Sequence, residues 1–129
     1  MWTAVGVLCD ELSAPVLVLN LAASPSTHTG RAMAAHREAG EPYRVSVPQL
    51  LRDAPDFSAV HDMRIYICEN PNVVSAAANR LGVASAPLVC VEGQPRTAAR
   101  LLLDRLATAG ARLAYHGDFD WGGIRIGNA

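Results

Sequence analysis

The sequence predicts a three-layer α/β domain built on a parallel sheet of about five strands. Short apolar runs alternate with helix-length segments almost throughout the 129 residues. Several runs, such as 16–21 (VLVLNL) and 87–91 (PLVCV), are nearly continuous in leucine and β-branched residues, as in strands covered on both faces. Helix punctuation separates them: Asn70-Pro71 offers an N-cap and a first-turn proline, and Gly40, Gly82 and Gly110 supply stops. Strands joined by helices of this length favour right-handed crossovers, hence parallel pairing.

In order, residues 2–12 read as a short helix, interrupted by Ser13 and Pro15, and 16–21 as the first strand. After the loop 24–27, residues 29–39 form a helix ending at Gly40, and 43–47 alternate like a strand. One helical turn at 48–52 leads into a polar loop around Asp53 and Asp56. Residues 64–68 are a strand, 71–81 a helix and 87–91 a strand turned by Glu92-Gly93-Gln94. Pro95 opens a longer helix with apolar Ala98, Leu101, Leu102 and Ala107. The last strand is 111–115, and a further helix starts at Trp121. The result is a Rossmann-like arrangement. With only nine residues after Asp120, the expectation is a piece of a longer protein.

Half the residues are apolar and 18% are charged, which argues against a disordered or fibrous chain. No apolar stretch reaches the roughly 18–20 residues of a membrane helix, and no basic segment opens a secretory signal. The expected location is therefore the cytoplasm, with no membrane partner. A net charge of −1 gives no global attraction to nucleic acid. All eleven basic residues are arginine, suited to phosphate but scattered, as solvated surface groups would be. Cys9, Cys68 and Cys90 have no metal spacing and read as reduced, buried small hydrophobes without a zinc or disulfide role.

The chemistry concentrates in Tyr115-His116-Gly117-Asp118-Phe119-Asp120-Trp121-Gly122-Gly123 and in the lone acid of Ile67-Cys68-Glu69-Asn70-Pro71. In parallel sheets ligands sit beyond the carboxyl ends of the strands. Glu69, Gly93, Asp118 and Asp120 all follow strands, so they are expected on that edge. Taken singly, Asp118 and Asp120 read equally as a turn and an N-cap, and Glu69 as a loop acid. Gathered on one edge, three carboxylates repel one another, and a divalent cation is the usual remedy. Mg²⁺ suits one or two carboxylates plus phosphate oxygens. Gly117, Gly122 and Gly123 leave room for a phosphate backbone. The helix starts at Pro71, Pro95 and Trp121 aim free N–H groups at the same edge. Gly93-Gln94-Pro95 reads as a phosphate contact or a plain turn. His116 could assist proton transfer or only hydrogen-bond, and Trp121 could stack on a base or cap the core. His28, His36 and His61 share no metal spacing, and no phosphate-loop or dinucleotide motif occurs.

On Ile65-Tyr66-Ile67-Cys68-Glu69 and Gly117-Asp118-Phe119-Asp120-Trp121-Gly122-Gly123-Ile124, the chain resembles the toprim domain. That domain is shared by topoisomerases, primases, overcoming-lysogenization-defect nucleases and the topoisomerase six and meiotic Spo-type proteins. It is similar, more closely, to toprim-like C-terminal domains of bacterial proteins related to the nuclease subunit of Wadjet anti-plasmid systems. The resemblance implies a single toprim-like domain over 1–129, with a core at about 64–129 and a strand–helix extension at 1–63. It implies Glu69 as a metal ligand or general acid/base, and Asp118 and Asp120 as ligands of Mg²⁺ or Mn²⁺. Gly93, Arg96, Gly122 and Arg125 would contact phosphate, with Arg96 or Arg125 as the basic residue some toprim nucleases use. The implied activity is metal-dependent cleavage of DNA phosphodiesters, possible in anti-plasmid or anti-phage defence. The implied partners are DNA, flanking domains and subunits of an SMC-like complex. The alternatives are a non-catalytic toprim-like module that binds DNA or docks subunits, and a Rossmann-like binder of a small phosphorylated ligand.

Overall fold

The computed structural model describes residues 14–92 and 96–115. The helices expected at 2–12 and from Trp121 lie outside the described residues. Within them, all five expected strands form one sheet: β1 (Val16–Leu19), β2 (Tyr43–Val45), β3 (Arg64–Cys68), β4 (Leu88–Cys90) and β5 (Arg112–Tyr115). Their order is β2-β1-β4-β3-β5. The helices are α1 (His28–Ala39), α2 (Val47–Arg52), α3 (Pro71–Leu81) and α4 (Thr97–Thr108).

Strand β3 is parallel to both neighbours, pairing Ile67 with Val89 on β4 and with Tyr115 on β5. Strand β1 is the exception to the expected all-parallel sheet: it runs antiparallel to both β2 and β4. A continuous buried run reads the same in either direction, so the sequence pattern does not fix its polarity. Because β1 and β2 are antiparallel, the connection carrying α1 leaves and re-enters the sheet at one edge, the amino edge of β3 and β4. Thr29, on the first turn of α1, donates from its backbone N–H and hydroxyl to Asp53, at 2.6 and 2.8 Å. Those two bonds hold the Asp53 carboxyl below its usual range. At the other end Gly40 adopts φ 69°, a left-handed cap, against the backbone of Gly82 and Val83.

Several boundaries moved inward. Strand β1 ends at Leu19 because Asn20 turns left-handed, its amide donating to the Val83 and Ser85 carbonyls and accepting from Arg37. Strand β2 ends at Val45 because Ser46 and Gln49 form a reciprocal capping box. Val47, expected in the strand, therefore opens α2. Helix α4 begins at Thr97, with Arg96 rather than Pro95 at its threshold.

Two apolar layers sandwich the sheet. On one face Ile65, Ile67, Val89, Val16, Val18 and Val45 pack with Val47 and Leu50 of α2 and Ala98, Leu102 and Leu106 of α4. The 98–102–106 spacing is the i, i+4, i+8 stripe of one helical face. On the other face Leu17, Leu19, Cys68, Leu88 and Cys90 meet Val74 and Ala77 of α3. Among the described residues no helix is long and apolar enough to cross a membrane.

Gly30 marks the tightest approach in α1: a Cβ there would stand 2.0 Å from the Ser24 carbonyl oxygen. Backbone must shift to admit it. Gly30→Ala is expected to cost roughly 1–3 kcal/mol despite alanine's better helix propensity. Urea unfolding of parent and variant checks this.

Candidate functional site

The carboxyl edge of the parallel strands collects the polar groups. Strand β3 delivers Glu69 directly, half-buried, before Asn70 caps α3 by accepting from the Asn72 N–H at 2.9 Å. Strand β4 continues through Val91, whose N–H donates to the Cys68 carbonyl at 2.9 Å, and turns at Glu92 with φ 50°. Glu92 accepts from Arg44 of β2 at 3.1 Å. Strand β5 ends at Tyr115, level with Ile67. In a parallel pair, Tyr115 shares the face of Ile67 and hence of Glu69, two residues on.

Hydrogen bonding to the Glu69 carboxylate, with burial and the carboxylate's charge, holds the Tyr115 phenol above its ordinary value. A cleft of about 190 Å³ opens on the same edge, lined among others by Pro15, Cys90, Glu92, Arg96 and Ala99.

Of the expected site residues, Glu69 stands on the predicted edge, and Arg96 is exposed there at the start of α4. Asp118, Asp120, Gly93, Gly122 and Arg125 lie outside the described residues, as do His116 and Trp121. Among the described residues no three His, Cys, Asp or Glu side chains could together hold a metal ion. Glu69 alone of the three proposed ligands falls within that set.

Sequence reasoning missed three features of this edge. Tyr115 reads in the sequence as a strand end and the start of the polar run, and its partnership with Glu69 requires knowing that β3 and β5 are neighbours. The Arg44–Glu92 pair spans two strands far apart in sequence. Cys68 and Cys90 are buried small side chains, as expected, but they also stand in direct register on β3 and β4. Of the two, Cys90 is the more readily ionised. The Cys68 thiol, the Glu92 backbone N–H and Arg44 favour its thiolate, while Cys68 is pushed up by Cys90 and by burial.

The sequence profile of one family, described as "Protein of unknown function C-terminus (DUF2399)", matches residues 45–129. The chain belongs to that family. The matched range takes in β3, β4 and β5 with α2, α3 and α4, and so the whole parallel part of the sheet. Strand β1 and α1 precede it. No curated protein and no solved structure matches the chain.

The Tyr115–Glu69 contact has a pH signature. A phenol raised in the folded state contributes stability that is complete below the unfolded value of 10.0 and is lost as pH rises through the folded one. The parent's melting temperature is expected to fall faster above pH 10 than that of Tyr115→Phe. Glu69→Gln is expected to move the phenol back toward its ordinary value, read as the phenolate absorbance present in parent and absent from Tyr115→Phe.

Proposed function

We propose that this chain is a toprim-like domain that cleaves DNA phosphodiesters with Mg²⁺ or Mn²⁺. The observation that carries the reading is the parallel register of β3 and β5, which ends β5 at Tyr115 beside the β3 terminus that carries Glu69. It makes the chain leave β5 beside Glu69, and Asp118 follows Tyr115 by only three residues. A fully extended chain of that length spans at most about 11 Å, so Asp118 starts from within local reach of Glu69. A donor set of Glu69, Asp118 and Asp120 is all carboxylate oxygen, the chemistry of a hard divalent cation.

In this reading those three acids hold the cation, which when bound polarises the scissile phosphate and offsets developing charge on its oxygens. Glu69 also handles a proton, with the Tyr115 hydroxyl fixing its carboxylate. Arg96 and Arg125 hold the DNA backbone, and the glycines Gly93 and Gly122 let it approach. The resemblance to the Wadjet nuclease subunit extends the proposal to a defence setting, with flanking domains and SMC-like subunits as partners.

Thermal unfolding with and without Mn²⁺ tests the ligand set. At a metal concentration of 100 times the dissociation constant, the parent gains about 2.7 kcal/mol. Asp118→Asn is expected to gain far less, and equal shifts in both proteins would remove Asp118 from the set.

Cleavage tests the reaction. With its natural flanking sequence, the protein is expected to nick supercoiled plasmid only when Mg²⁺ or Mn²⁺ is present. Glu69→Gln is expected to slow nicking by about 10²–10⁴-fold, the range for a lost acid/base group. Asp120→Asn, which removes a metal ligand, is expected to abolish it. DNA binding is expected to survive in both, because arginine–phosphate contacts dominate affinity. Parent-rate nicking by a Glu69/Asp118/Asp120 triple variant would refute the assignment. Salt-sensitive DNA binding by the parent without any nicking would favour the non-catalytic module.

A further inference from the structure

Cys68 ends β3, Cys90 ends β4, and the two are direct register partners on neighbouring parallel strands. Both side chains enter the same apolar layer, facing α3, so they stand on one side of the sheet. Neighbouring strands lie about 4.8 Å apart. That spacing falls inside the roughly 4.4–6.8 Å between Cα atoms that a disulfide accepts. Cys90 additionally lines the cleft at the carboxyl edge, an entry for a small reagent.

We propose that Cys68 and Cys90 are an oxidisable dithiol, a modification site that reacts with a hydroperoxide and closes to a disulfide. The Cys90 thiolate attacks the terminal peroxide oxygen; the O–O bond breaks and, with a proton, leaves as an alcohol or as water. Cys90 is then a sulfenic acid. The Cys68 sulfur attacks the Cys90 sulfur, the S–O bond breaks, and hydroxide leaves as water with the Cys68 proton. Each sulfur is oxidised by one electron, and the hydroperoxide is reduced by two. Cys90 attacks first because it is the residue of the pair that borders the cleft; Cys68 resolves because it is the neighbour.

The bridge would tie β3 to β4 one residue before Glu69. As regulation of the edge site, this consequence rests on the reading of Glu69 above. The thiol chemistry does not, and its test is independent of nuclease activity.

The test uses the full chain carrying Cys9→Ser, folded, treated with hydrogen peroxide, then denatured in acid and alkylated. The expected result is loss of both alkylatable thiols together, a cross-linked peptide joining Cys68 to Cys90, and full recovery with dithiothreitol. In Cys68→Ala the reaction is expected to stop at a Cys90 sulfenic acid, captured by dimedone. In Cys90→Ala, Cys68 is expected to stay reduced. Two free thiols after treatment, or irreversible oxygen addition to both cysteines without the cross-link, would overturn the proposal. Equal dimedone capture at Cys68 in Cys90→Ala would overturn the assigned order of attack.

Discussion

The position of β3 between two parallel neighbours is the constraint on which the rest depends. Both its faces are buried, Ile65 and Ile67 against α2 and α4, Cys68 against α3. A slip of one residue would exchange those faces and drive Arg64 and Tyr66 into the larger core. Backbone bonds outside the strand pairs pin the register at both ends: Tyr66 N–H to the Pro87 carbonyl at 2.9 Å, Val91 N–H to Cys68 at 2.9 Å, and Arg112 N–H to Met63 at 2.8 Å. With the register fixed, Glu69, Glu92 and Tyr115 must emerge on one edge. No single surface interaction could impose that convergence.

What the sequence revealed of the fold follows from what each signal measures. Buried parallel strands advertise themselves as unbroken apolar runs, and β3 and α3 begin and end where the pattern places them. Asn70-Pro71 is a strong local start because cap and proline agree. Strand polarity is a tertiary property, and the reversal of β1 is a matter of its pairings with β2 and β4, which no local pattern carries. The boundary at Val47 was different. The period-2 alternation Tyr43, Val45, Val47 competes there with the Ser46–Gln49 capping box, and the box wins because it satisfies two backbone donors at once.

The candidate site divides along the same line. Glu69 was legible because a carboxylate directly after a strand must lie at the carboxyl edge, whatever the neighbours are. Tyr115 and the Cys68–Cys90 pair were not, since each acquires its meaning from a partner on another strand. Once the order β4-β3-β5 is known, both follow from counting along the register.

Asn20, Asp62 and Glu92 have positive φ, the first two at the amino edge of β3 and β4 and Glu92 alone on the carboxyl edge. Asparagine and aspartate tolerate the left-handed region, and Asn20 is locked there by its amide bonds to Val83 and Ser85. Glutamate has no such tolerance, and a non-glycine residue held left-handed costs of order 1–3 kcal/mol. Its side chain pairs with Arg44, in an ion pair whose two side chains are 48% (Arg44) and 36% (Glu92) exposed. A pair that exposed contributes about 0–1 kcal/mol, too little to offset the strain. The turn must therefore be held by the chain around it: the Val91–Cys68 bond on one side and the start of α4 on the other. Local strain supported by rigid surroundings is characteristic of functional edges. Here it falls between Cys90 and Arg96, on the edge that carries Glu69.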